Sequence, residues 1–168
     1  MNYTNKMNYR VLIMSLFSVI LSFFGCGKNT KENQGNFPFV AKRIKINQLN
    51  RELKLLQEGK TEYDFIGITS NGIDCIYFMK ENDVFQIEFE AMIEPQIPYI
   101  EKLKDFAISK NFNHKMISYG NKPEYDAKEA PVIRIETNLK LNEVAEIGSL
   151  IQSEIFGNNS NIEFDVVP

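Results

Sequence analysis

The sequence has no tryptophan, a single histidine and only two cysteines in 168 residues. Two cysteines cannot build a disulfide scaffold. Together with one histidine they also argue against a Cys/His zinc cluster. Without tryptophan there is little to stack on sugar rings, which argues against a glycosidase. A basic excess is missing too. Nineteen Lys and Arg face 22 Asp and Glu, for a net charge of −3. That balance does not suit nucleic-acid binding. No calcium loop, phosphate loop, H-E-x-x-H or C-x-x-C motif occurs, so neither a cofactor nor a metal is expected. What the chain does have is 43% hydrophobic and 12% aromatic residues, enough to pack one domain.

The composition is uneven along the chain. Residues 1–10 carry Lys6 and Arg10 and no acid. Residues 11–24 are uncharged and mostly apolar, and Gly25 and Cys26 follow. A positive start, a short apolar run and a small residue describe a secretory signal. The run is shorter than the roughly 20 residues a membrane-spanning helix needs. Leu21-Ser22-Phe23-Phe24-Gly25-Cys26 resembles a bacterial lipoprotein signal with its lipobox. Gly25 and Cys26 match that pattern, while Phe23 and Phe24 stand where a Leu and a small residue are usual. The resemblance implies cleavage before Cys26 and acylation of that cysteine. Two or three chains on one residue make a stable anchor, at ~0.8 kcal/mol per buried methylene. The competing reading is an uncleaved anchor helix with an incidental cysteine.

On the lipoprotein reading, residues 1–25 are a signal and residues 26–43 a lipidated cysteine with a flexible tether. Residues 44–168 then form a single α+β domain. Loss of Lys6 and Arg10 leaves 17 basic against 22 acidic residues, a net charge of −5. The mature chain is expected outside the cytoplasm, on the bacterial cell envelope.

Helical spacing is expected over residues 44–58, through Ile46, Leu49, Leu53 and Leu56. Strands are expected at 63–69, 73–79 and 84–93, with Asn71-Gly72 as a type I′ hairpin turn. Residues 84–93 alternate: Phe85, Ile87, Phe89, Ala91 and Ile93 on one side, Gln86, Glu88 and Glu90 on the other. A helix over 96–111 tolerates Pro98 in its first turn. Its apolar stripe is Ile97, Ile100, Leu103, Phe106 and Ala107. Short strands at 115–119 and 131–137 flank a polar loop over 120–130. A second core helix covers 141–156, with Gly157 and Asn158 at its end. A last strand covers 162–167. The order is α-β-β-β-α-β-β-α-β: a mostly antiparallel sheet with two core helices on one face. The other face presents Gln86, Glu88, Glu90, Arg134 and Glu136, either to solvent or to a partner. Up to the last strand, this order resembles the type III secretion chaperone-like fold by topology alone. The resemblance implies effector-chaperone or regulatory roles.

Few residues carry a chemical signal. His114 has no G-x-S-x-G or similar companion and is read as a loop histidine without special role. Cys75 is read as a buried, inert thiol. Glu88 and Glu90 share one strand face at roughly 7 Å, a spacing that suits either a solvated face or paired hydrolytic carboxylates. The loop with Tyr125 and Asp126 mixes tyrosine with charge, as interfaces do. The leading expectation is a lipid-anchored envelope protein that binds another protein without catalysis. Glu88, Glu90, Tyr125 and Asp126 are its candidate contacts, and Cys26 is its membrane link. Immunity against a basic secreted toxin is one form. The alternatives are an envelope hydrolase using Glu88, Glu90 or Asp74, and a structural lipoprotein that self-associates.

Overall fold

The computed structural model describes residues 42–81, 84–119 and 129–167. Strand β1 (Lys42–Lys45) runs through one 3-10 turn into α1 (Leu49–Gln57). Strands β2 (Phe65–Thr69), β3 (Ile76–Glu81) and β4 (Val84–Glu90) follow. Helix α2 (Ile97–Ser109) leads to β5 (Asn113–Ser118) and β6 (Pro131–Glu136). Helix α3 (Leu141–Leu150) continues as a π-helical turn (Ile151–Ile155) before β7 (Glu163–Val167).

The expected α+β class holds. The seven strands lie in the order β1-β7-β2-β3-β4-β6-β5, and every neighbouring pair is antiparallel. Cross-strand register builds the core in rows. Ile66, Phe78, Ile87 and Ile135 form one row; Ile68, Ile76, Phe89 and Ile133 form the next. All eight are buried. Burying a side chain such as Phe78 stabilises by roughly 1.5–3 kcal/mol.

Three helices, rather than two, cover this face. α1 contributes Leu49, Leu53 and Leu56, spaced four and three apart so that all point one way. α2 contributes Ile100, Leu103, Phe106 and Ala107, with Pro98 in the first turn. α3 contributes Val144 and Ile147, and Ile151 follows in the π turn. Gly148 lets α3 approach closely: a Cβ there would lie 2.7 Å from Phe78 and 2.8 Å from Leu49.

Several local expectations change. Residues 42–45 pair with β7 as a strand, so Lys42 and Arg43 belong to the fold, and Ile44 is a strand residue rather than a helical one. Lys42 Nζ meets the buried Glu52 carboxylate of α1 at 2.5 Å. Asn71-Gly72 is not a type I′ turn, because only Gly72 has positive φ, at 81°. A longer loop replaces it, organised by Asp74. Ile93 and Ile97, expected in apolar stripes, are about half exposed. β4 ends at Glu90, before Ile93, and Ile97 opens α2 on its outer side. His114 lies in β5 opposite Ile135 rather than in a loop.

Candidate functional site

The second face of the sheet holds the polar residues that the alternation of β4 exposed. Register again sets their neighbours. Val167, Gly67, Tyr77, Glu88, Arg134 and Lys115 form one row across six strands. Phe65, Met79, Gln86, Glu136 and Asn113 form another. The row contents divide the face into an aromatic half over β2 and β3 and a charged half over β4, β6 and β5.

In the aromatic half, Gly67 makes room for the Tyr77 ring. A Cβ at Gly67 would sit 2.9 Å from Tyr77 Cδ1. Tyr77 meets Phe65 edge-on at 5.9 Å between centroids, and Phe65 stacks on Tyr63 at 5.6 Å. In the charged half, Arg134 Nε donates to the Glu88 carboxylate directly opposite. Their side chains are 12% and 6% exposed. A buried carboxylate must be paired, since an isolated charge out of water is very costly. Nearer the β5 edge, Lys115 Nζ lies 3.3 Å from Glu136 Oε1.

This geometry corrects the solvated reading of Gln86 and Glu88, both of which are buried. Gln86 Nε2 donates to Glu81 Oε2 at 3.1 Å. Glu88 and Glu90 do share a face, but they differ in surroundings. Glu88 answers Arg134. Glu90, opposite Val132 and half-buried, puts its charge near Cys75, Tyr77 and Tyr119. Burial pushes the Cys75 thiol up to about 12, with the Glu90 charge adding to the rise and a Tyr77 hydrogen bond opposing it. Burial likewise raises Tyr77, and it raises Tyr119 to about 12, again helped by Glu90. All three groups therefore stay protonated near neutral pH.

Asp74 has a different task. Its carboxylate accepts from Thr69 Oγ1 at 2.7 Å, Ser70 N at 2.9 Å, Ser70 Oγ at 2.5 Å and Asn158 Nδ2 at 2.5 Å. Burial pushes its pKa up, but the bonds from Ser70, Thr69 and Asn158 prevail and hold it below the ordinary 3.8. Gln152 Nε2 donates to the Asp74 carbonyl at 3.0 Å. Gln96 Nε2 reaches the Gly72 carbonyl at 3.1 Å, while its Oε1 accepts from Met92 N at 2.8 Å. This network ties the β2–β3 loop to the start of α2 and the end of α3. Sequence reasoning missed Gln96, Gln152 and Asn158. The one available signal was the Thr69-Ser70-Asn71 cluster ahead of Asp74, which favours side-chain-to-backbone turns.

Cys26, Tyr125 and Asp126 lie outside the described residues. Among the described residues, no group of His, Cys, Asp and Glu could hold a metal ion. No helix there is long and apolar enough to cross a membrane. The class the fold defines is α+β, a three-helix layer on a seven-stranded antiparallel sheet. Comparison with protein families, curated proteins and solved structures finds no match to this chain.

Proposed function

We propose that the chain is a lipid-anchored envelope protein whose folded domain binds another protein without catalysis. The observation that carries the anchor is the run of apolar residues 11–24 closed by Gly25 and Cys26. Cleavage there leaves a polar stretch between Cys26 and β1, long enough to hold the domain off the lipid surface. Support for binding rather than hydrolysis comes from how the carboxylates are used. Glu88 is committed to Arg134, and Asp74 to its own loop and Asn158. A general acid needs a raised pKa, whereas that of Asp74 is lowered. The net charge of −5 suits a basic partner, and immunity against a basic secreted toxin is one form of the role. The resemblance in element order to the type III secretion chaperone-like fold points the same way, toward protein binding.

Replacing Cys26 by Ser tests the anchor. The variant precursor is expected to stay uncleaved and to take up no labelled fatty acid. Unchanged processing and labelling refutes lipidation. Co-expression with the products of adjacent genes tests the binding role. Protection from a toxic neighbour supports it, and absence of any complex with these products counts against it.

A further inference from the structure

The two edges of the sheet differ. β1 is four residues long and three of them are basic, which guards an edge against pairing. β5 is six residues long, and among the described residues no strand lies on its outer side. α2 lies over β6 and β5. One flank of α2 packs inward: Tyr99 meets Phe89 at 6.3 Å and Phe156 at 4.8 Å. At 3.6 residues per turn, the opposite flank carries Ile97, Glu101, Lys104 and Ile108. That flank faces outward past β5. Ile97 is 51% exposed and Ile108 58%, two of the four large apolar side chains so exposed among the described residues.

We propose that this side of the molecule pairs with a second copy of the chain through a two-fold axis. β5 would meet β5 antiparallel, and α2 would meet α2. The α2 flank is self-complementary when run against itself. An axis through the helix between Lys102 and Leu103 places Ile97 on Ile108 of the second copy. The same axis places Glu101 on Lys104. Apolar meets apolar and acid meets base, as an isologous interface requires. Within one chain, Lys104 and Glu101 already pair at 3.2 Å on the surface, where both charges can also reach a second copy.

The strand agrees with the helix. The tight turn after α2 sends β5 back along it, with Phe112 N donating to Ala107 O at 2.9 Å. Six residues of helix carry the chain about 9 Å, and three residues of strand about 10 Å. The middle of α2 therefore lies level with Met116. Opposed residues of an antiparallel pair share a face, so a symmetric pairing must centre on a residue. Centring on Lys115 sets two ammonium groups opposite each other, which destabilises. Centring on Met116 sets Met116 against its copy and Lys115 against Ile117, with the Lys115 charge already answered by Glu136. With strands about 4.8 Å apart, the two α2 axes would lie about 10 Å apart, a packed-helix distance.

Sedimentation equilibrium of the full chain in density-matched detergent tests this. The unaltered chain is expected to dimerise reversibly. Ile108→Glu, at an exposed position, is expected to weaken the dimer at least about tenfold. Glu101→Lys should weaken it as well, and adding Lys104→Glu should restore it. Met116→Cys should give a covalent dimer on mild oxidation that the unaltered chain does not give, because symmetric strand neighbours sit within disulfide reach. A monomer at every concentration overturns the proposal. So does an association that ignores all of these substitutions, which would place the contact elsewhere, such as the apolar N-terminal run.

Discussion

Gly148→Ala sets two known effects against each other at one atom. Glycine inside a helix costs about 1 kcal/mol relative to alanine, so propensity alone favours the substitution. Packing opposes it. The new methyl would stand 2.7 Å from Phe78 Cζ and 2.8 Å from Leu49 Cδ2. Ordinary carbon contacts fall near 3.5–4.0 Å. Neither neighbour can yield cheaply, because both Phe78 and Leu49 are fully buried. Overfilling such a site costs roughly 1–3 kcal/mol. The net expectation is a loss on the order of 1 kcal/mol. Gly148→Val should lose clearly more, since it adds bulk and a β-branch to the same gap. Urea unfolding of the full chain, followed by circular dichroism, reads the difference as a shifted midpoint at constant slope. Phe78→Leu shortens the ring side and should cost less when combined with Gly148→Ala than when made alone. A Gly148→Ala protein that gains stability refutes the close approach of α3 to the sheet.

Arg134→Met should destabilise by roughly 3–5 kcal/mol, because it removes the guanidinium that answers the buried Glu88 carboxylate. Adding Glu88→Leu should recover much of that; an equal loss in the double variant, by urea unfolding, refutes the pairing. Asp74 has a folded pKa below its ordinary 3.8, so its contribution is fully present above that value. It is lost as pH falls through the lower, folded value. Asp74→Asn should therefore be less stable at neutral pH and should lack this acid-linked loss; parallel acid titrations of the two proteins check it. Cys75 has its thiol pushed up to about 12 and should resist a disulfide reagent at pH 8 until the chain is unfolded. Prompt reaction of this half-buried thiol in the native state would contradict its raised pKa.

Long periodic segments were legible in the sequence. The alternation of β4 and the spacing of Ile100, Leu103 and Phe106 name the residues that enter the core, although the polar side of β4 is buried as well, at Gln86 and Glu88. β1 was not legible. Its four residues have a single apolar member, Ile44, and it is a strand only because β7 arrives beside it. Local propensity cannot register a partner that far along the chain. Asn71-Gly72 misled because local turn chemistry competes with side-chain capture. Asp74 takes hydrogen bonds from Ser70 and Asn71 backbone groups, leaving Asn71 without positive φ. Of the candidate contacts, Glu88 was seen as a polar strand residue, but its Arg134 partner follows from the β4–β6 register, which no sequence pattern announces. The Asp74 network was hidden for the same reason, since Gln96 and Asn158 meet it only after α2 and α3 have packed.

The position of β7 has a consequence for the order of assembly. The last strand of the sheet in sequence is the second in space, between β1 and β2. Lys42 is opposite Val166, so β1 has no strand to join until the far end of the chain has been made. Strands β2, β3 and β4 can pair as they emerge, because each follows its neighbour directly. The β1 side must wait, with the entropy of closing a very long loop set against it. During synthesis the sheet thus stays open at β2 and its first strand unpaired, so the fold closes only once β7 has been made.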